Sequence, residues 1–407
     1  MRNNGRSGGK RWLIVLLFVG LLAITYTYWV LHKPLPSIQP IQGSSQLTVQ
    51  TPPATLTWPA TEQAAVGLVG DNTLVTHNQQ MPVPIASTAK LITALTVLEH
   101  KPLNSSEQGP TIALGSNDVA IYNSYKAKAG SVVQVQAGEQ ISEYKMLQTV
   151  MLPSANNMAD SLALWAFGSM AEYNKAAGQY LAEHSIKQTE VSPDDASGFA
   201  AGTVSTAHDL AIIGELAMQN PTLAQIVSQP SATDIPVVNK IKNVNMLLGT
   251  DQIIGVKTGN TDQAGGVFVS ASRITVNNKL VTIVTAVLGA PTLFQAMKDS
   301  LPLIESAQAN FKPVTIVKAG TVIGHFQPKW GGSLQAVASE NLTLDAWNGN
   351  AVKANISINN ISPNSKKGAI IGSIILTKTV SSDQISIPVK LQQNPTKPTI
   401  WWRLLHP

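Results

Sequence analysis

The chain has 407 residues, long enough for two domains plus tails, and its 44% hydrophobic content is ample for real cores. Its formal net charge is only +5, and the basic residues are too dispersed to argue for a nucleic-acid partner. The absence of cysteine excludes thiol nucleophiles, thiolate zinc sites and iron–sulfur clusters; the seven histidines form no HxxxH or HExxH pair, and no glycine-rich phosphate loop occurs, so neither metal nor cofactor is expected.

Part of the positive charge is local, because Arg2, Arg6, Lys10 and Arg11 precede any acidic residue. Residues 12–31, WLIVLLFVGLLAITYTYWVL, then carry no charge at all. A run of about twenty such residues spans a bilayer as a helix, and a basic flank holds its start in the cytoplasm. Residues 1–11 are therefore expected as a cytoplasmic tail, 12–31 as a transmembrane signal-anchor, and everything after His32 as extracytoplasmic. A cleaved signal peptide would have a shorter apolar core and a small-x-small ending. Here the run ends in Tyr26, Tyr28 and Trp29, which suit the membrane–water interface, so an uncleaved anchor is favoured. A cysteine-free chain also fits an oxidising exterior.

Residues 32–60 are rich in Pro, Gln, Ser and Thr and read as an extended linker. From Ala64 the pattern is strand-like, in AAVGLVG, and from Ser87 it is helical. Helical runs follow in ISEYKMLQTVML and NNMADSLALWAFG, parted by Pro153, so Ser154 and Asn156 are expected on the connection. Two more come in MAEYNKAAGQYLAEH and TAHDLAIIGELAMQN, then three apolar strand candidates, QIIGVKTGN, GGVFVSASR and KLVTIVTAVLGA. Asn277 and Asn278 join the last two as a hairpin. Helices in the middle with strands at both ends predict an α+β domain over 61–311. Beyond Phe311, short alternating segments parted by Gly, Pro, Asn and Ser predict an all-β domain over 312–400. In the tail after it, the two tryptophans of IWWRLLHP suit a membrane surface or the closing of the β domain's core, and the second is preferred.

The stretch PVPIASTAKLITALTVLEH, from Pro82 to His100, holds the first chemical signal. Pro82 and Pro84 keep the approach extended, and Leu91, Leu95 and Leu98 recur at helical spacing. The bland reading makes Ser87 an N-cap and Lys90 a solvated lysine. Yet residues three apart share a helix face, here beside the apolar stripe. A lysine kept dry beside a serine can be a neutral amine, and so a base. Ser–x–x–Lys is cheap, and Ser142 to Lys145 is a second copy. Ser–x–Asn is cheap too, at Ser154, Ser357 and Ser362, whereas Lys–Thr–Gly occurs once, at Lys257, Thr258 and Gly259. Only Ser87/Lys90, Ser154/Asn156 and Lys257/Thr258/Gly259 follow the order helix start, interhelix loop, strand.

That ordered triple resembles the active-serine penicillin-binding proteins and β-lactamases. The flanking text, VPIASTAKLITALTV, MLPSANNMADSLA, STAHDLA and GVKTGNTDQAGGVFVSA, resembles serine-type D-alanyl-D-alanine carboxypeptidases, over about residues 64–311. The resemblance implies a β-lactamase/DD-peptidase-like catalytic domain followed by a small β domain. It implies a peptidoglycan stem peptide ending in D-Ala-D-Ala as substrate, and β-lactams as covalent inhibitors. Ser87 would form the acyl-enzyme, with Lys90 as its base. Ser154, bridging Lys90 and Lys257, would relay a proton to the leaving D-alanine, and Asn156 would hold a substrate amide. The backbone N–H groups of Ser87 and Asn260 would form the oxyanion hole. Gly259 would let the substrate strand approach, while Lys257, Thr258 and Thr261 would serve its free carboxylate. Burial and repulsion from a cationic Lys257 are expected to lower the Lys90 pKa.

The chain departs from the family pattern twice. Ala155 stands where Ser–Gly–Asn is usual, and GAPTLFQAMKDS has only Lys298 where family members carry a carboxylate-binding arginine. The second departure leaves endopeptidase cleavage of cross-links open. A β-lactamase would need a deacylating Glu–x–x–x–Asn loop, and EVSPDDASG offers Glu190 with Asp194 at the asparagine position. A non-catalytic wall-binding protein would have no reason to retain the whole set of Ser87, Lys90, Ser154, Asn156 and Lys257.

Overall fold

A computed structural model describes residues 8–60, 62–71, 73–277, 279–349, 351–377 and 384–407. Arg2 and Arg6 of the basic flank, and Asn278 of the hairpin, lie outside the described residues. The chain divides into two compact units. One comprises Met1–Thr51, Pro313–Leu344 and Ala351–Pro407; the other comprises Pro52–Lys312 and Asp345–Asn350.

The first unit opens with helix α1 (Gly8–His32), whose Arg11–His32 stretch has a mean hydropathy of 2.2 and is almost entirely unburied. The sequence suggests an open linker after it, and the structure replaces that linker with folded chain. Ile38 and Pro40 form β-bridges with Ile361 and Phe326, and strand β1 (Ser44–Gln50) pairs antiparallel with residues 351–357. The reason is a short period-two pattern, in which Leu47 and Val49 pack on the β core while their neighbours face out. Residues 52–60 belong to the other unit, where both main-chain groups of Thr55 bond the Asn310 side chain (3.1 and 2.6 Å).

The second unit is built on β2 (Gln63–Leu68) and β3 (Leu74–His77), followed by α2 (Lys90–His100), α3 (Ser116–Ala127), α4 (Glu143–Met151), α5 (Asn156–Phe167), α6 (Met170–Glu183), α7 (Ala207–Gln219) and α8 (Pro221–Val227). Then come β4 (Ile253–Thr261), β5 (Gly265–Val276), β6 (Lys279–Ala290) and α9 (Leu293–Asn310). The five strands form an antiparallel sheet in the order β4-β5-β6-β2-β3, so β4 is an edge strand. Phe268, Ile283 and Val287 pack beneath Ala296, Met297 and Leu303 of α9 on one face. Val267, Val269, Val284 and Ala286 join the helical core on the other. In α2 every residue from Lys90 to Leu98 is buried, so the helix runs through that core instead of showing it a stripe.

In the first unit the chain continues as β7 (Val322–Phe326), β8 (Leu334–Ala338), β9 (Ala351–Ile358), β10 (Ile370–Thr377) and β11 (Gln384–Leu391). Its sheet order is β1-β9-β10-β11-β8-β7, so the β fold recruits a strand from the N-terminal side. Along β9, Val352, Ala354, Ile356 and Ile358 are buried and the residues between them exposed, the signature of a one-sided sheet. The chain ends in α10 (Ile400–Leu405). The expectation that the paired tryptophans close the β core is corrected for Trp401, which is 75% exposed, whereas Trp402 is half-buried against Trp330 at the edge of that core; the Tyr26 hydroxyl of α1 donates to the Leu404 carbonyl (2.9 Å).

Candidate active site

Ser87 does not cap a helix. It lies inside a 3-10 turn, Ala86–Ala89, that leads into α2 at Lys90, and neither element has a side-chain cap. The turn begins with Ala86 in the left-handed region at φ 46°. It is held there by Gly198, whose own φ is +74° and where a Cβ would lie 2.0 Å from the Ala86 carbonyl oxygen. The Ser87 hydroxyl is free for chemistry because it faces Lys90, whose Nζ donates to Oγ at 2.9 Å. The same Nζ donates to Asn156 Oδ1 (2.7 Å) and to the Ser197 carbonyl (2.9 Å), so a fully buried ammonium has three acceptors.

The connection after α4 supplies the second pair. Ser154 sits at φ 64°, a left-handed position that costs about 1–3 kcal/mol for a non-glycine residue and recurs at working sites. Its Oγ accepts from Lys257 Nζ (2.8 Å). Asn156 is the first residue of α5, not a loop residue. The expected bridge is therefore divided: Ser154 joins Lys257, while Lys90 is joined to Asn156. Sequence reasoning missed Asn157, which clamps both main-chain groups of Val133 (3.0 and 2.9 Å).

β4 brings the third group. Its pairing is regular from Lys257↔Val269 to Thr261↔Gly265. Directly opposed residues share a face, so Lys257, Gly259 and Thr261 look toward the helical side with Val269 and Val267. Thr258, paired with Phe268, lies on the α9 side and is buried; it serves the site through its carbonyl, which accepts from Lys257 Nζ (3.0 Å). This corrects the expectation that its side chain meets a carboxylate. Thr261 Oγ1 accepts from Ala264 N (3.1 Å), and Asn260 is exposed on the strand's free rim. A Cβ on Gly259 would lie 3.2 Å from Ser87 N and 2.9 Å from the Ile85 carbonyl. The glycine thus lets the β4 backbone come close beside the Ser87 amide, as an oxyanion hole shared between them requires.

Behind Lys90 lies a buried acidic layer that motif reading did not find. Tyr125 OH donates to Asp160 Oδ2 (2.7 Å) and reaches Asp195 Oδ1 (3.3 Å). Asp195 Oδ1 also accepts from Ser197 N and Oγ (2.7 and 2.5 Å), fixing the residue whose carbonyl holds Lys90. The only sequence trace was Asp160 at i+4 from Asn156, on one helix face. Burial lowers the Lys90 pKa to about 7, against the opposing pull of Asp195 and Asp160. Burial also pushes Asp160 up to about 6. Lys257 falls well below its usual value, through burial first and repulsion from Lys90 second. The expected repulsion thus falls on the other lysine: Lys257 is displaced by Lys90, and of the two lysines Asp195 and Asp160 act on Lys90 alone.

The decoys are spent on structure. Ser142 caps α4 by accepting from Lys145 N (3.3 Å), Lys145 Nζ donates to the Asp234 carbonyl (2.7 Å), and Ser357 lies within β9. The Glu190 side chain is exposed and its main chain bridges Val204, so it does not serve as a buried deacylating glutamate. Lys298 is exposed on α9.

Comparison with known proteins bears on the fold and the family. A solved penicillin-binding protein 5 from Haemophilus influenzae superposes with a TM-score of 0.56 over 85% of this chain and 99% of its own, at 21% identity. The Streptomyces K15 DD-transpeptidase does so at 0.54 over 64% and 100%, at 22% identity. In sequence, the D-alanyl-D-alanine carboxypeptidase DacB2 of Mycobacterium tuberculosis is 29% identical over 53% of this chain and 70% of its own. The carboxypeptidase DacA of Haemophilus influenzae is 27% identical over 58% of this chain, and the match spans 61% of the relative's length. A D-alanyl-D-alanine endopeptidase of Pseudomonas aeruginosa is 32% identical over 58% of this chain and 75% of its own. The profile of the D-alanyl-D-alanine carboxypeptidase family matches residues 50–292, more than half of the chain and every residue of the site, and the chain belongs to that family of serine peptidases.

Proposed function

We propose that the chain removes the terminal D-alanine from peptidoglycan stem peptides through an acyl-enzyme on Ser87, and that β-lactams trap the same serine. The observation that carries this is the 2.9 Å bond between Ser87 Oγ and a fully buried Lys90 whose pKa is brought to about 7. At that value a large fraction of Lys90 is a neutral amine near neutral pH. It takes the Ser87 proton as Oγ bonds to the carbonyl carbon of the penultimate D-alanine. The N–H groups of Ser87 and Asn260 stabilise the oxyanion that forms. When the C–N bond breaks, the leaving amine takes the Ser154 hydroxyl proton and the Lys90 ammonium replaces it, which leaves Lys90 neutral again; Lys257 holds Ser154 in place (2.8 Å). Water then attacks the ester with Lys90 again as base. The substrate lies along the free rim of β4, its amide near Asn156 and its carboxylate toward Lys257 and Thr261. A bound carboxylate favours the charged form of Lys257.

By the same reading α1 spans the membrane uncleaved and the catalytic unit faces the cell wall. Its support is the apolar, unburied Arg11–His32 stretch. A fluorescent penicillin should label the full chain covalently, Ser87→Ala should abolish labelling, and Ser142→Ala should leave it unchanged. Labelling that survives Ser87→Ala would remove the proposal.

A second reading, cleavage of cross-links, is favoured by one observation: residues 289–300 contain no arginine, and their single lysine is exposed on α9. Digestion of purified sacculi and of a synthetic pentapeptide separates the two. Free D-alanine from the pentapeptide supports the carboxypeptidase, and release of monomers from dimeric muropeptides with an intact pentapeptide supports the endopeptidase.

A further inference from the structure

The β unit is fastened to the end of α1 more closely than a tether would allow. Only six residue steps lead from His32, the last residue of α1, to Ile38, which bridges Ile361. Extended chain of that length reaches about 21 Å at most. The C-terminal segment ties the same corner from the other side. The Arg403 guanidinium donates to the Leu31 carbonyl and reaches those of Val30 and Lys33 (3.5 and 3.4 Å), satisfying acceptors that a helix end leaves open. The Trp402 ring meets Trp330 edge-on at 5.6 Å, and Trp330 Nε1 donates to the Thr396 carbonyl (2.6 Å). Asn394 Oδ1 accepts from Lys367 N (2.7 Å). Residues 328–333, 366–369 and 392–405 thereby form one end of the sheet, beside the Tyr26–Trp29 turn of α1.

That end is dressed for a particular partner. Ile400, Trp401 and Leu405 are exposed, although α10 is packed through Trp402 and Leu404. Lys329, Lys366, Lys367 and Lys397 are exposed there, and Lys33 lies over the Trp29 ring at 5.0 Å. Among the described residues of the unit after His32, the sole side-chain carboxylate is Glu340, beyond the far end of β8. Apolar and aromatic groups ringed by lysines, level with the end of an apolar helix, match a headgroup layer with anionic lipid.

We propose that this end of the β unit rests on the outer surface of the bilayer and recognises anionic lipid headgroups, so that the β unit lies on the membrane. The inference rests on the reading of α1 as a spanning helix. Both can be tested separately, because the chain has no cysteine and a single introduced thiol is unique. The full chain carrying Leu17→Cys, Leu405→Cys or Glu340→Cys is labelled with an environment-sensitive fluorophore and placed in nanodiscs containing nitroxide lipids. The discs are made of phosphatidylcholine alone or mixed with phosphatidylglycerol. The Leu17 probe should be quenched by mid-chain nitroxides and the Leu405 probe by headgroup-level ones, with Glu340 quenched by neither. Leu405 quenching should be about twofold or more stronger with phosphatidylglycerol, and high salt should remove that excess. Lys329→Glu, Lys367→Glu and Lys397→Glu together should remove it too. A Leu405 probe quenched no more than Glu340, with Leu17 still quenched, overturns the inference and leaves the span standing. Equal quenching in both discs overturns the recognition of anionic lipid. A Leu17 probe that escapes quenching overturns the span, and the inference with it.

Discussion

Lys90 and Lys257 are two buried ammonium groups in one site, and their surroundings make them unequal. Burial lowers Lys90 to about 7 while Asp195 and Asp160 pull it back upward, whereas burial and the like charge of Lys90 both press Lys257 down. The repulsion between the lysines thus falls on Lys257, and what sets Lys90 is burial and the two carboxylates. Two expectations follow for the rate of acylation by penicillin, which rises as Lys90 becomes neutral. In Asp160→Asn the ammonium loses a counter-charge, its pKa falls, and the rise should move to lower pH. In Lys257→Ala the rise should stay where it is, while binding of ligands with a free carboxylate weakens. Measuring the second-order acylation rate across pH checks both, and a rise in Asp160→Asn that moves upward contradicts the assignment. At this scale the sequence disclosed the residues that carry chemistry directly, because Ser87, Lys90 and Lys257 lie in short ordered motifs. It hid Asp195 and Ser197, which act on Lys90 through a backbone carbonyl and a fold-dependent contact that no spacing encodes.

Elements with a strong period were legible, and those without one were not. β5 and β6 are apolar along their length, and α4 to α7 begin close to where breakers and capping residues place them. α3 escaped because it buries only Tyr125, so no stripe marks it. α9 escaped because Pro302 reads as a breaker, yet the helix runs through it from Leu293 to Asn310. The turn before α2 shows how much an unmarked element can matter. Gly198 closes against the Ala86 carbonyl with no room for a methyl group, which fixes the Ser87 turn and the neighbouring Ser197 carbonyl together. Gly198→Ala should cost about 1–3 kcal/mol of stability through backbone strain and displacement of the turn. It should slow acylation about tenfold to a hundredfold, because misplacing a nucleophile by a fraction of an ångström is that costly. Denaturant unfolding and penicillin acylation measure the two. A variant that acylates at the wild-type rate would show that the turn holds its shape without the glycine.

The described residues form three separate hydrophobic cores, one in the β unit and two in the catalytic unit, and this bears on how the molecule unfolds. One contains Phe326, Leu334, Ile374 and Val389 of the β unit; those of the catalytic unit contain Leu91, Leu147 and Val269, and Phe268 with Leu303. The sequence pattern changes near Phe311 and one unit boundary lies at Lys312, but the chain path of the units left no such mark. The β unit recruits residues 44–50 from before the catalytic unit, and the catalytic unit takes back 345–350. Such exchanges depend on pairing between distant segments, for which a local period gives no signal. Separate cores favour separate unfolding transitions, because removing water from one core does not require the other. Acylation of Ser87 provides the discriminating perturbation. A penicilloyl ester on Ser87 makes its contacts with Lys257 and β4 only while the catalytic unit is folded, so those contacts stabilise that unit's native state. Calorimetry of the full chain in detergent should resolve two transitions, and penicillin should raise one while leaving the other within error. Ser87→Ala should show the same two transitions with neither moved by penicillin. A single transition shifted as a whole would mean that the two units unfold as one cooperative structure although each has its own core.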